Sequence, residues 1–242
     1  MNEGIEIKNL IQRYGRKTAL DHINLSIGTG MYGLLGRNGA GKTTLMKTMV
    51  GLLAPKEGTI ELCGISVNEV SKLRKIIGYL PQEFSLYPGM KVYEVLDYLG
   101  VLSNIPANER RKRIPELLKK VNLYEKRSMK VKTLSGGMKR RLGLAQALLH
   151  EPKVLIVDEP TVGLDPEERV RVRELLREEA RSKTVLLSTH IVEDIEVLCG
   201  EAAILDEGRR VYSGSIQELL EKTHTERIED AYLKVIHSGE VY

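Results

Sequence analysis

The stretch from Met31 to Leu53 restricts what this chain can fold into more than any other. A short apolar run, Met31-Tyr32-Gly33-Leu34-Leu35, tightens into Gly36-Arg37-Asn38-Gly39-Ala40-Gly41-Lys42-Thr43-Thr44, and Leu45, Met49, Leu52 and Leu53 follow at helical spacing. Strand, glycine loop and helix in that order form a phosphate-binding loop. The pattern Gly-x-x-x-x-Gly-Lys-Thr wraps backbone N–H groups around an anion and aims a helix N-terminus at it. On this reading Lys42 reaches the β/γ-phosphates of a nucleotide and Thr43 binds Mg²⁺.

Such a loop needs a parallel sheet behind it, and the chain has the material. Its 242 residues, 42% of them apolar, suffice for one large core or two modest ones, which fits one α/β domain with an added lobe. No run of about eighteen apolar residues occurs, so no membrane span is expected. Met1-Asn2-Glu3-Gly4 carries no basic region or apolar core, so a cytoplasmic location without a secretory leader is expected. Cys63 and Cys199 stand in no metal-binding or redox spacing. The net charge of +4 is spread out, and a local cluster, Arg110-Arg111-Lys112-Arg113, falls in a Glu- and Lys-rich helical segment. It reads as a solvated face, and no direct contact with nucleic acid is expected.

In chain order, Ile5 and Ile7, then Ile23, Leu25 and Ile27, then Ile60 and Leu62 alternate with polar residues. They predict half-buried strands in an antiparallel layer beside the nucleotide site. Between the first two strands lies the turn Arg13-Tyr14-Gly15-Arg16. Ile76 to Leu80 reads as a buried strand stopped by Pro81, which puts Gln82 at a strand's carboxyl end, in reach of a ligand. Val92 to Leu99 and Arg110 to Val121 have helical spacing, with Pro115 predicting a kink or break in the second. Residues 84–150 are expected to form a helical lobe within a single domain, 1–83 and 151–242 forming the nucleotide-binding core.

The lobe closes with Thr133-Leu134-Ser135-Gly136-Gly137-Met138, followed by a helix through Leu142, Leu144, Ala145, Leu148 and Leu149. Ser135 as an N-cap is a sufficient local account, but it leaves two costly glycines in the first turn unexplained. Val154 to Val157 predicts a central parallel strand that ends in Asp158-Glu159-Pro160. Two adjacent carboxylates at a buried strand end are costly unless a cation or a reaction uses them. With the phosphate loop present, Asp158 is expected to hold the Mg²⁺ shell and Glu159 to polarise a water. Asp165 caps the next helix, with Pro166 at its first position. Thr184 to Ser188 is a further strand with His190 after its end, and Ala202–Leu205 and Arg210–Tyr212 form a hairpin across Glu207-Gly208. The tail from Ser215 to Tyr242 reads as helical and polar.

Taken together these segments resemble the nucleotide-binding subunits of ATP-binding-cassette (ABC) transporters over nearly the whole chain. Gly36 to Thr44 is similar to the Walker A loop, Val154 to Glu159 to Walker B, Gln82 to the Q-loop glutamine and Leu134 to Met138 to the signature sequence. Gly163 to Asp165 is similar to the D-loop, His190 to the H-loop and Tyr14 to the adenine-stacking A-loop aromatic. The signature is the specific mark, since the Walker motifs are shared with many nucleotide hydrolases. The resemblance implies a P-loop NTPase of the ABC ATPase fold: a RecA-like mixed-sheet core, an antiparallel β layer and a helical lobe. It implies ATP and Mg²⁺ as ligands, with Gly36, Arg37, Asn38, Gly39, Ala40, Gly41, Lys42, Thr43 and Thr44 around the phosphates. Thr43, Gln82 and Asp158 are implied at the metal, and Glu159, His190, Lys42 and Gln82 in catalysis.

It also implies two subunits packed head to tail, so that Ser135, Gly136 and Gly137, with Asp165, complete the partner's site. Such a pair, most simply a homodimer, would sit on the inner face of the cell membrane through a permease subunit. Met138 stands where the family usually has glutamine. Leu80-Pro81-Gln82-Glu83, the run from Ser135 to Leu142 and Ile228-Glu229-Asp230-Ala231-Tyr232-Leu233 are similar to the bacterial ABC-2 type branch, whose members mostly export. Two rival readings are a soluble ABC ATPase acting on ribosomes or DNA, and a regulatory module without turnover. Against the first stand the single cassette and the lack of zinc-binding cysteines; against the second, the intact Lys42, Asp158, Glu159 and His190.

Overall fold

The computed structural model describes residues 4–238. The expectations for Met1 to Glu3 and for the last four positions lie outside the described residues. Two sheets organise the rest. The first is antiparallel, in the order β2-β1-β4-β5, from β1 (Ile5–Tyr14), β2 (Lys17–Ile27), β4 (Glu57–Leu62) and β5 (Ile65–Ser66). The second has six strands in the order β10-β9-β3-β8-β7-β6. Here β3 (Gly30–Leu35), β6 (Ile77–Leu80), β7 (Val154–Asp158), β8 (Thr184–Thr189) and β9 (Glu201–Asp206) run parallel, and β10 (Arg209–Ser215) closes the edge antiparallel to β9. The expected hairpin is that edge, turning through Glu207 and Gly208 at φ 45° and 81°.

The parallel strands read as unbroken apolar runs because both of their faces are covered. Along β7, Val154 and Ile156 join a core shared with the antiparallel layer and helix α1 (Lys42–Met49), while Leu155 and Val157 join a second core on the opposite face. Strand β8 does the same with Leu186 against Val185 and Leu187. A short helix α2 (Val70–Leu73) precedes β6. Residues 84–150 carry α3 (Val92–Leu102), α4 (Ala107–Lys120) and α5 (Gly136–Leu148), and their apolar faces pack into the second core. On that same side lie α6 (Pro166–Glu179), α7 (Val192–Leu198), α8 (Ile216–Thr223) and α9 (Ile228–Ser238).

Three expectations need correction. Of the kink or break expected at Pro115 the break does not occur: helix α4 runs on through it, with Ile114, Leu117 and Leu118 buried on either side. The missing N–H lies next to a surface turn, where Arg111 and Lys112 are exposed. The basic cluster is only half solvated: Arg110 bonds Asp97 and the Ile105 carbonyl at 2.8 and 2.6 Å, and Arg113 donates to the Leu149 carbonyl at 3.1 Å. The tail is not merely polar, since Ile228, Ala231 and Val235 recur at helical spacing on α9 and are buried against the body. Neither Cys63 nor Cys199 is in a disulfide.

Candidate functional site

The parallel sheet delivers its chemistry at the carboxyl ends of β3, β8 and β7, which are neighbours. After β3 the chain turns through Gly36 to Gly41 and enters α1. Gly41 sits at φ 106°, and a β-carbon there would lie 2.9 Å from the Ala19 carbonyl oxygen, so the turn demands glycine. Beside this loop lies a cleft of about 870 Å³ lined by Tyr14, Arg37 to Thr44, Gln82, Asp158 and Glu159. Tyr14 ends β1, next to the Gly15 turn, and its ring is 48% exposed.

Charge is concentrated at the closed end of the cleft. Lys42 is 6% exposed; its Nζ donates to the carbonyls of Gly36 and Arg37 at 2.5 and 3.3 Å and stands 4.0 Å from the Glu159 carboxylate. Burial pulls its pKa down, against the pull of Glu159 and Asp158. Thr43 donates its hydroxyl to Asp158 Oδ2 at 3.3 Å. Burial pushes the Asp158 carboxyl up, the adjacent Glu159 adds to this, and Lys42 and Thr43 oppose it. Glu159 is 4% exposed and adopts φ 50°, a left-handed backbone that aims its side chain off the end of β7. Its N–H donates to the Ser188 carbonyl at 2.8 Å, and its Oε1 lies 2.9 Å from His190 Nδ1.

Thr43 and Asp158 place two hard oxygen donors together beside the phosphate loop, a set that suits Mg²⁺ completed by phosphate oxygens and water. Among the described residues no group of three or more acidic, His or Cys side chains could hold a metal ion unaided.

The signature segment lies elsewhere. Ser135 caps α5, accepting the Met138 N–H at 3.2 Å, and both Ser135 and Gly136 are exposed. Gly136 has open space around it, whereas a β-carbon on Gly137 would come within 2.9 Å of Glu168 Cγ. Gly137 thus has a packing reason within its own chain that the sequence did not reveal. Asp165 is exposed and caps α6, accepting the Glu168 N–H at 2.9 Å. None of Ser135, Gly136, Gly137 and Asp165 lines the cleft that holds Lys42.

A family model for the ABC transporter matches residues 20–162. The chain belongs to the ABC transporter family. This ABC ATPase is 41% identical over 219 residues to the Nod factor export ATP-binding protein I of Ralstonia nicotianae, covering 89% of the present chain and 68% of that relative. The solved ATP-binding subunit of an ABC transporter superposes with a TM-score of 0.87 at 28% identity, over 96% of this chain and 98% of that one. A bacterial ABC transporter cassette solved as a dimer gives 0.79 at 27% identity, over 88% and 98%. The protein is therefore an ATP-binding, ATP-hydrolysing subunit that powers transport, and its fold is that of the ABC ATPases. Subunits of this family dimerise and work with membrane permeases. Among the described residues no helix is long and apolar enough to cross a membrane.

This ABC ATPase also has cleft residues that its sequence did not point out. Thr18 and Ala19 enter from β2, Asp206 to Gly208 from the β9–β10 turn, and Ile236 and His237 from α9. The α9 pair was detectable, because Ile228, Ala231 and Val235 mark a buried stripe that fixes how the helix lies.

Proposed function

We propose that this chain is the ATPase subunit of an exporter, working as a head-to-tail homodimer on the inner face of the membrane through a separate permease. The observation that carries the catalytic part is the Lys42–Glu159–His190 group beside Thr43 and Asp158. In this reading Tyr14 stacks on the adenine, and the N–H groups of residues 37–44 with Lys42 hold the phosphates. Thr43, Asp158 and Gln82 would hold Mg²⁺, which would supply positive charge to offset that of the phosphates. Glu159 accepts a proton from the attacking water as general base, and His190 orients that carboxylate through Nδ1 and contacts the γ-phosphate.

Ser135, Gly136 and Gly137 complete the partner's site, offering the N-terminus of α5 to its γ-phosphate. The exposure of Ser135 and Gly136, and the position of all three away from the chain's own cleft, support this. Binding of ATP closes the pair, hydrolysis opens it, and residues 84–150 pass the motion to the permease. Export rests on the name of the Ralstonia relative and on the ABC-2-like segments.

The test is size-exclusion chromatography of Glu159→Gln with and without ATP, at low salt and without Mg²⁺. A shift from monomer to dimer on adding ATP is expected. A species that binds ATP yet stays monomeric overturns the shared-site reading for the isolated subunit.

A further inference from the structure

Arg140 lies in the second turn of α5 and is buried, yet no carboxylate pairs with it. All five of its N–H donors are matched by five backbone carbonyls. Nη1 donates to Pro81 and Gln82 at 3.0 and 2.9 Å, and Nε to Pro160 at 3.3 Å. Nη2 donates to Asp158 and to Glu159, the latter at 2.7 Å. The acceptors fall into two groups: the end of β6 that presents Gln82, and the turn after β7 that presents Asp158 and Glu159. The guanidinium also faces the Phe84 ring at 5.6 Å. One turn further along α5, a β-carbon on Gly143 would lie 2.6 Å from that ring, so the helix is pressed closely against the segment after Gln82.

We propose that Arg140 is a positioning residue for hydrolysis, fixing the peptide turn that aims Glu159 and tying it to the Gln82 segment and to the helix begun by Ser135. Glu159 needs such support, because its left-handed backbone at φ 50° is not the conformation a glutamate prefers. The three carbonyls of residues 158–160 converge on one rigid planar fork, and such convergence fixes a turn in a way that a single hydrogen bond cannot. Burial lowers the Arg140 pKa to about 10, while Asp158 and Glu159 pull it up, so the group stays charged at neutral pH. The same fork joins the lobe of residues 84–150 to the carboxylate. A change in the angle of α5 is therefore felt at Glu159 without any contact to nucleotide.

The inference rests on Glu159 being the general base, and its test separates the two ideas. Steady-state hydrolysis by the complete chain is compared for the parent, Arg140→Lys, Arg140→Met, Glu159→Gln and the Arg140→Lys/Glu159→Gln pair. Lysine keeps the charge and the length but reaches fewer carbonyls, and is expected to lower kcat roughly 10-fold; methionine is expected to lower it nearer 100-fold. The KM for ATP should stay within about 3-fold in both, because the phosphate loop and Tyr14 are untouched. In the Glu159→Gln background the Arg140→Lys change should cost under about 2-fold, because both act through one group.

If Arg140→Met does not fold, Arg140→Lys decides alone. A folded Arg140→Lys with parental kcat, a KM that rises in proportion to the fall in kcat, or full additivity with Glu159→Gln overturns the proposal. Parental turnover by Glu159→Gln overturns the general-base reading itself, whatever Arg140 does.

Discussion

The cleft at the ends of β3, β7 and β8 and the turn at the start of α5 are the two places proposed to meet ATP, and they are built in opposite ways. In the cleft Lys42, Asp158 and Glu159 are buried and hold one another at 4 Å or less or through neighbours, and burial pulls the Lys42 pKa down and pushes that of Asp158 up. At the turn, Ser135 and Gly136 are exposed, nothing surrounds Gly136, and the only local task is the cap on Met138. One region is under electrostatic load before any ligand arrives and the other is at ease. That difference is what the proposed site in halves would need: a preorganised half for the chemistry, and a plain surface to meet a partner.

The comparison breaks most easily at Glu159. Replacing it by glutamine keeps the shape and removes the base, so turnover should fall about 10²- to 10⁴-fold in a phosphate-release assay while ATP still binds. Turnover near the parental rate would leave the buried half without its working group. Next in size is Gly136→Asp. An acidic residue in the first turn of a helix favours that helix, and open space surrounds this position, so the melting temperature should hold within about 1 °C. A negative charge there would face a partner's γ-phosphate, and hydrolysis should drop roughly 100-fold with ATP binding to the monomer unchanged. Hydrolysis unaffected by this change would mean that the turn completes no site.

A smaller effect sharpens the other side. Because burial raises the Asp158 pKa, the fold gains stability when that carboxyl is protonated and loses it as pH rises through the usual carboxylate range to the raised value. Asp158→Asn should therefore melt about 2–4 °C higher than the parent at neutral pH, with the gap closing in acid. A gap independent of pH would show that the load is not ionic. Smallest is Met138→Gln, expected to leave hydrolysis within about 3-fold, since α5 presents backbone and Ser135 rather than this side chain. A tenfold change would make position 138 part of the site.

How much of this was legible follows from how local each signal is. The phosphate loop, the acidic pair after β7 and the double coverage of β7 and β8 are written in consecutive residues, and the fold kept all of them. Arg140 stands between Lys139 and Arg141, with nothing in the sequence to set it apart. In the structure Arg141 is also buried, paired with Glu168 at 2.7 Å and bonded to the Val121 and Asn122 carbonyls. A one-dimensional pattern cannot show that two of three basic residues will meet carbonyls from segments about 20 and 60 residues away. At Pro115 the helix does not break for a related reason, since the propensity of one residue gave way to the burial of its neighbours.

The lie of α9 has a practical side. Ile236 and His237 stand on the rim of the nucleotide cleft, and Tyr232 of the same helix meets Arg37 of the phosphate loop. A dye attached at position 237 would therefore sit at the lining of the cleft. Labelling chemistry is favourable too, because burial pushes the Cys199 thiol up to about 12 and leaves it a poor nucleophile, so only Cys63 need be replaced first. Helix α9 is thus a ready place to watch nucleotide come and go.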